Sequence, residues 1–118
     1  MNENRAMAAF SALSQETRLK IVRLLVRSGP QGMAAGAIGE AMDHASSSRM
    51  SFHLSQLEQA GLVASRREGR SIVYSADYSR LASLVEFLMR DCCEGHPAVC
   101  EAAIAAFACR QQRAASHP

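Results

Sequence analysis

Three of the chain's four cysteines lie within nine residues, at Cys92, Cys93 and Cys100. Gly95 and Pro97 lie between them, and both residue types are common in turns. A turn here would bring Cys100 back toward the adjacent pair, so that three sulfur atoms could converge on one soft ion. The spacing therefore predicts a thiol segment at residues 91–101 that binds such an ion.

Other interpretations of these cysteines stay open. Cysteine also behaves as a small apolar side chain, although two adjacent cysteines cannot both face a core from one helix. In a redox switch, Cys92 or Cys93 would pair with Cys100, because adjacent cysteines form a strained ring. His96 could supply a fourth ligand, which would favour zinc. Cys109 lies about two and a half helical turns beyond Cys100, and we interpret it as a buried thiol outside the site.

Length and composition predict one globular domain over residues 1–118, with a frayed end from about residue 111. The chain has 118 residues, of which 48% are hydrophobic. No apolar run approaches the roughly 18 residues of a membrane helix, and residues 1–5 lack the features of a signal peptide. We expect a cytoplasmic protein with reduced thiols and no membrane partner. The net charge of +2 is by itself weak evidence for nucleic acid.

Helical periodicity predicts the elements that must position this segment. Apolar stripes indicate a first helix at 5–13 and a second that begins after a cap at Ser14 and stops at Gly29-Pro30. A third helix is indicated at about 34–42, and a fourth at about 47–60, ending before Gly61. Two extended runs follow at 62–67 and 70–76, with Glu68-Gly69 as a two-residue hairpin turn. A last helix begins after Asp77, which is its predicted cap. This order predicts a winged helix-turn-helix, mainly α with a β-hairpin wing.

The helix at 47–60, capped by Ser46 or Ser47, would present a polar face outward while Met50, Leu54 and Leu57 face the core. On that outward face, Arg49 can reach guanine or phosphate, Gln56 an adenine edge and Phe52 a thymine methyl. In the hairpin, Arg66, Arg67 and Arg70 surround a glycine tip that could follow phosphates. Each feature alone is also typical of a solvated surface, but together they favour DNA binding.

Three segments resemble the ArsR/SmtB family of metal-responsive repressors. Residues 10–21 (FSALSQETRLKI) resemble its N-terminal signature, residues 51–63 (SFHLSQLEQAGLV) its recognition helix, and residues 66–74 its wing. The resemblance covers roughly residues 5–90. It implies a homodimeric repressor, joined through its first and last helices, that leaves double-stranded operator DNA when an inducer binds. His53 matches a histidine common in the family. Its position on the helix lies at the edge of the core, and its role is either structural or DNA-contacting. The expected DNA-binding residues are Ser47, Ser48, Arg49, Ser51, Phe52, His53, Ser55, Gln56, Arg66, Arg67 and Arg70.

The inducer follows from which of the family's sites are present. The arsenic site in the helix before the recognition helix is absent, because residues 34–42 contain no cysteine; residues 78–91 contain no histidine for a zinc or nickel site. The cysteines are similar to those of arsenic-sensing members with a C-terminal site. The resemblance therefore implies As(III), or Sb(III), bound by Cys92, Cys93 and Cys100, since three thiolates suit its pyramidal geometry whereas zinc prefers four ligands.

The same cysteines leave other inducers open, whereas two other classes of function fit the sequence less well. A methylated arsenical, zinc, cadmium or oxidation could act through the same cysteines. An enzyme is not expected, because the chain has no Cys-x5-Arg cradle and no C-x-x-C after a strand. A metal-storage module would need neither a recognition helix nor a basic wing.

Overall fold

The computed structural model describes residues 1–43, 46–90, 98, 101, 102 and 105, and it gives bounds for five helices and three short strands. These residues form two compact units, the first from Met1 to Leu84 and the second beginning at Val85. The elements are α1 (Glu3–Leu13), α2 (Glu16–Ser28), β1 (Met33–Ala34), α3 (Ala35–Ala41), α4 (Ser47–Gln59), β2 (Val63–Glu68), β3 (Ser71–Ala76) and α5 (Tyr78–Met89). The predicted order of helices and hairpin is confirmed.

Side-chain caps satisfy amide groups at the start of α1, α2, α4 and α5, whereas α3 begins without one. Ser46 caps α4 by accepting a hydrogen bond from the Arg49 amide at 3.3 Å, one of the two predicted alternatives. Asp77 accepts from the Arg80 amide at 3.1 Å, as predicted. The predicted cap at Ser14 is wrong. Because α1 extends to Leu13, Ser14 closes α1 instead, and Gln15 caps α2.

The hairpin belongs to a three-stranded antiparallel sheet with the order β1-β3-β2. The two-residue strand β1 is too short to give a periodic signal and was not predicted; Met33 pairs with Tyr74. Glu68 pairs with Ser71, so the hairpin loop is Gly69-Arg70, one residue later than predicted. Gly69 has φ 63° at the first loop position, where a type II′ turn needs a glycine.

The core lies beneath α4 and fixes which side of that helix faces outward. Met50, Leu54 and Leu57 are buried, as the stripe predicted. Six large side chains are almost completely inaccessible: Ile21, Leu25, Ile38, Leu54, Leu57 and Leu62. Within the described residues, no helix is long and apolar enough to cross a membrane.

Candidate DNA-binding surface

The outward face of α4 carries most of the predicted contact residues. Ser47, Ser48, Arg49, Ser51, Phe52 and Ser55 are exposed, and Gln56 is half-buried. Phe52 is 56% exposed, which is unusual for so large an apolar ring. Its edge approaches the His53 ring, with 5.8 Å between the ring centroids and 62° between the planes. The face combines small hydroxyls, which allow close approach to a duplex, with one ring suited to a thymine methyl.

His53 differs from its neighbours because it is buried, with only 7% of its surface exposed. Its Nδ1 lies 3.3 Å from Nη1 of Arg18. A guanidinium can only donate, so Nδ1 accepts and the neutral ring carries its proton on Nε2. Burial, followed by the charges of Arg18 and Arg49, lowers the pKa of His53 below its ordinary value. The histidine is therefore a neutral acceptor beneath the DNA-facing surface rather than one of its exposed groups.

The three wing arginines differ in their partners. Arg66 donates to Oε1 of Glu68 at 2.8 Å and also to the Gln31 carbonyl before β1. Arg67 and Arg70 are exposed, and neither makes a hydrogen bond or an ion pair to any residue that the structure describes. Their charges are thus available to phosphates, whereas that of Arg66 is partly engaged in holding the sheet to the preceding loop.

A direct contact joins the wing to the recognition helix. Ser65 in β2 donates a hydrogen bond of 2.6 Å from Oγ to Oε2 of Glu58 in α4. Since side chains alternate along a strand, Arg67 lies on the same face of β2 as Ser65, and Arg66 lies on the other. The positive charge of Arg67 is therefore on the side that adjoins α4. This contact was not predicted, because it joins residues of two different elements and leaves no local signal in the sequence.

Comparisons with known proteins agree with this geometry. A family model for a helix-turn-helix domain matches residues 13–66. An ArsR-like transcriptional regulator from Rhodococcus sp. RHA1 has a TM-score of 0.67 and 30% identity, covering 89% of this chain and 93% of that one. The chain belongs to the ArsR family of transcriptional regulators. DNA binding through a winged helix-turn-helix is thereby established for it at the level of the family.

Two further solved structures are similar to this chain. The homodimeric winged helix-turn-helix DNA-binding domain of Mb0332 from Mycobacterium bovis is 30% identical, with a TM-score of 0.59, and the match covers 79% of this chain and 85% of that one. A possible transcriptional regulator for arsenical resistance is 33% identical, also with a TM-score of 0.59, and the match covers 70% and 81%.

A curated relative of this ArsR-family chain is described as a probable mercury resistance operon repressor, from Streptomyces lividans. It is 40% identical over 78 residues, which are 64% of this chain and 58% of the relative. The chain thus matches less than two thirds of that relative's length.

The predicted ion site lies outside the described residues. These include none of the four cysteines, so the placement of Cys92, Cys93 and Cys100 stays a prediction, as does that of His96 and Cys109. Among the residues that are described, no three histidine, cysteine or acidic side chains are grouped so that they could hold a metal ion.

Proposed function

We propose that this ArsR-family regulator is a non-catalytic, cytoplasmic repressor that binds operator DNA as a homodimer and releases it when As(III) binds to Cys92, Cys93 and Cys100. The observation that supports this most directly is the pairing of an exposed polar face on α4 with unpaired arginines on the adjoining wing. The thiol cluster supplies the response to an inducer.

The DNA-binding surface has two parts with separate tasks. Phosphate contacts position a protein on a duplex, and contacts to base edges specify the sequence. Arg67 and Arg70 on the wing are suited to the first task. Arg49, Phe52 and Gln56 on α4 are suited to the second, because arginine and glutamine recognise purine edges and an apolar ring recognises the thymine methyl.

Exposed apolar side chains on α1 support a homodimer. Ala6, Ala9 and Ala12 face the core, whereas Met7 is 66% exposed and Phe10 is 36% exposed. Large apolar groups next to one another on a helix commonly mark an interaction surface. In the C-terminal unit, Leu88 of α5 is 60% exposed. Both helices were predicted to join the protomers, and the Mycobacterium bovis neighbour is a homodimer.

The donor set of three thiolates favours a soft, three-coordinate ion. Trivalent arsenic meets this description, and Sb(III) shares its chemistry. Cys92 follows Met89, the last residue of α5, by only three positions, so a change at the thiol segment would act on a helix expected at the dimer interface. The likeness to a possible regulator of arsenical resistance also supports arsenic.

Mercury is the second candidate, because the curated relative is named for mercury resistance. Hg(II) is also a soft ion that thiolates select. A methylated arsenical, zinc, cadmium or oxidation could also act on the same cysteines. The DNA-release assay described next would distinguish these inducers, because each would be added separately.

The test is a titration of the reduced protein on an operator fragment obtained by selection from random duplexes, with DNA release followed by fluorescence anisotropy. Arsenite should weaken binding by roughly 5- to 150-fold, the usual range of allosteric coupling, and zinc should not. Cys100→Ser should abolish the response, whereas the matched control Cys109→Ser should retain it.

Each other outcome has a distinct meaning. Release by Hg(II) alone would replace arsenic by mercury, and release only on oxidation would replace ion binding by a redox switch. A full arsenite response in Cys100→Ser would disprove the three-thiol site.

A further inference from the structure

One arginine side chain joins three helices beneath the DNA-binding surface. The guanidinium of Arg18, in the first turn of α2, donates from Nε to the Ala12 carbonyl in the last turn of α1 at 2.7 Å. It also donates from Nη1 to Nδ1 of His53 in α4 at 3.3 Å. The Arg18 amide is itself held by Oε1 of Gln15 at 2.8 Å. Hydrogen bonds thus hold Arg18 both at its backbone amide and at its guanidinium.

Both acceptors of the Arg18 side chain would otherwise lack a donor inside the protein. The Ala12 carbonyl belongs to the last four of α1, which have no partner within the helix. His53 is buried, so its Nδ1 has little access to water. A buried acceptor without a partner destabilises the folded arrangement, because it has lost its hydrogen bonds to water. The two bonds therefore favour one position of α4 relative to α1.

The position of His53 determines what this restraint controls. His53 directly precedes Leu54 of the core and directly follows the exposed Phe52, against whose ring it packs. A rotation of α4 that broke the bond to Arg18 would also turn Phe52 and its neighbours away from their present direction. Specific contacts to base edges depend on such orientation, whereas attraction to phosphates depends mainly on charge.

We propose that Arg18 is a positioning residue for DNA recognition, which sets the rotation of α4 through His53 and links that rotation to the end of α1. The proposal rests on the DNA-binding function described above. It adds that Arg18 contributes to the selection of the DNA sequence without contacting DNA. It also adds that a movement of α1 would be transmitted to α4 through the two hydrogen bonds of the Arg18 side chain.

Two substitutions of His53 test the proposal as a matched pair. His53→Asn keeps an acceptor close to the position of Nδ1, whereas His53→Leu has an apolar side chain of similar size without one. We expect His53→Leu to lower affinity for the operator about tenfold, the effect of roughly 1.4 kcal/mol, while its affinity for random duplex changes less than about twofold. His53→Asn should restore most of the ratio between operator and random DNA.

Arg18→Lys is the complementary substitution at the other partner. It keeps the positive charge, but an ammonium lacks the rigid fork that reaches both acceptors, so the same loss of the operator-to-random ratio is expected. Thermal melting of each variant shows that it is folded. Loss of folding would reduce affinity for both kinds of DNA, and would not change their ratio.

The outcomes separate this inference from the proposed function. Folded His53→Leu and Arg18→Lys proteins with the wild-type operator-to-random ratio would overturn the role of Arg18. If the wild-type protein itself does not distinguish an operator from random duplex, the proposed function fails instead.

Discussion

His53 shows most clearly what could and could not be predicted at the scale of single residues. Its place in the helical stripe put it at the edge of the core, with either a structural or a DNA-contacting role. The structure places it inside, as the acceptor of Arg18, thirty-five positions earlier in the chain. Spacing within α4 could indicate partial burial but not the partner, because a contact between distant residues leaves no local pattern.

Burial of a neutral His53 makes stability dependent on pH. Because its pKa is lowered in the folded protein, the unfolded chain binds more protons between that lowered pKa and the ordinary value of about 6.5. The free energy of unfolding should therefore be fully retained above pH 6.5 and should decrease as the pH falls below it. The charges that act on His53 are those of Arg18 in α2 and Arg49 in α4.

Urea unfolding of the wild-type protein and His53→Asn between pH 5 and pH 8 measures this effect. The difference in free energy of unfolding between the two proteins should narrow as the pH falls, since asparagine does not titrate. A difference that is constant over this range would show that His53 has the same pKa in both states.

Gly32 is a second residue whose role depends on a distant contact. It has φ 74°, and a Cβ at this position would lie 2.2 Å from the Tyr74 carbonyl oxygen in β3. Because that obstacle is backbone, Gly32→Ala should destabilise the protein by more than about 2 kcal/mol. Gly36→Ala is the matched control: it lies in α3 with open space around it and should stabilise by about 0.5–1 kcal/mol. Thermal melting of both variants distinguishes them, and equal melting temperatures would contradict the role given to Gly32.

At the scale of elements, the wing was predicted well as a basic hairpin and less well in its detail. Two short extended runs and a glycine were sufficient to predict two strands and a turn, although the turn lies one residue later than predicted. The different contacts of Arg66 and Arg67 were not predictable, because they depend on the register of the hairpin. Arg66 pairs with Val73 and contacts the loop before β1, while Arg67 shares its face of β2 with Ser65. A one-residue shift in the turn changes which arginine faces α4.

The wing arginines should therefore differ in their effects on DNA binding. Arg67→Ala and Arg70→Ala should each weaken binding to all duplexes and reduce the slope of log affinity against log salt by about 1, with little loss of stability. Arg66→Ala should lower the melting temperature, since it removes the bonds to Glu68 and Gln31. Arg23→Ala removes the same charge from the exposed face of α2 and is the control. Equal salt slopes for the wild-type protein and Arg67→Ala would exclude a phosphate contact at Arg67.

For the whole molecule, the order of elements was predictable because long apolar stripes and two glycine stops leave few alternative arrangements. The strand β1 was missed, because two residues cannot show a period. The thiol segment is still known only from its residue types. Its expected function depends on an assembly of two chains, in which the recognition helices meet successive major grooves.

The assembly has a measurable length scale on DNA. A homodimer should have twice the chain mass of 12.7 kDa in light scattering and should need half-sites about 10 base pairs apart. Inserting about 5 base pairs between the half-sites should abolish tight binding, since it turns one of them to the opposite side of the duplex. Met7→Glu places a charge on the exposed face of α1, so it should weaken both dimer formation and tight binding to the two half-sites. A monomer that binds the separated half-sites equally well would contradict the dimer.

The exposed serines of α4 lie apart from its buried face, which makes this helix suitable for retargeting to new promoters. Ser48, Ser51 and Ser55 are exposed, and their side chains make no hydrogen bond within the part of the chain that the structure describes. We therefore expect mutations at these three positions to change stability by less than about 0.5 kcal/mol, which thermal melting of the variants would measure. A library varied only there, on a background that keeps Arg18 and His53, would sample new operator sequences from one stable scaffold. The same freedom would let natural copies of such a gene acquire separate regulons after duplication.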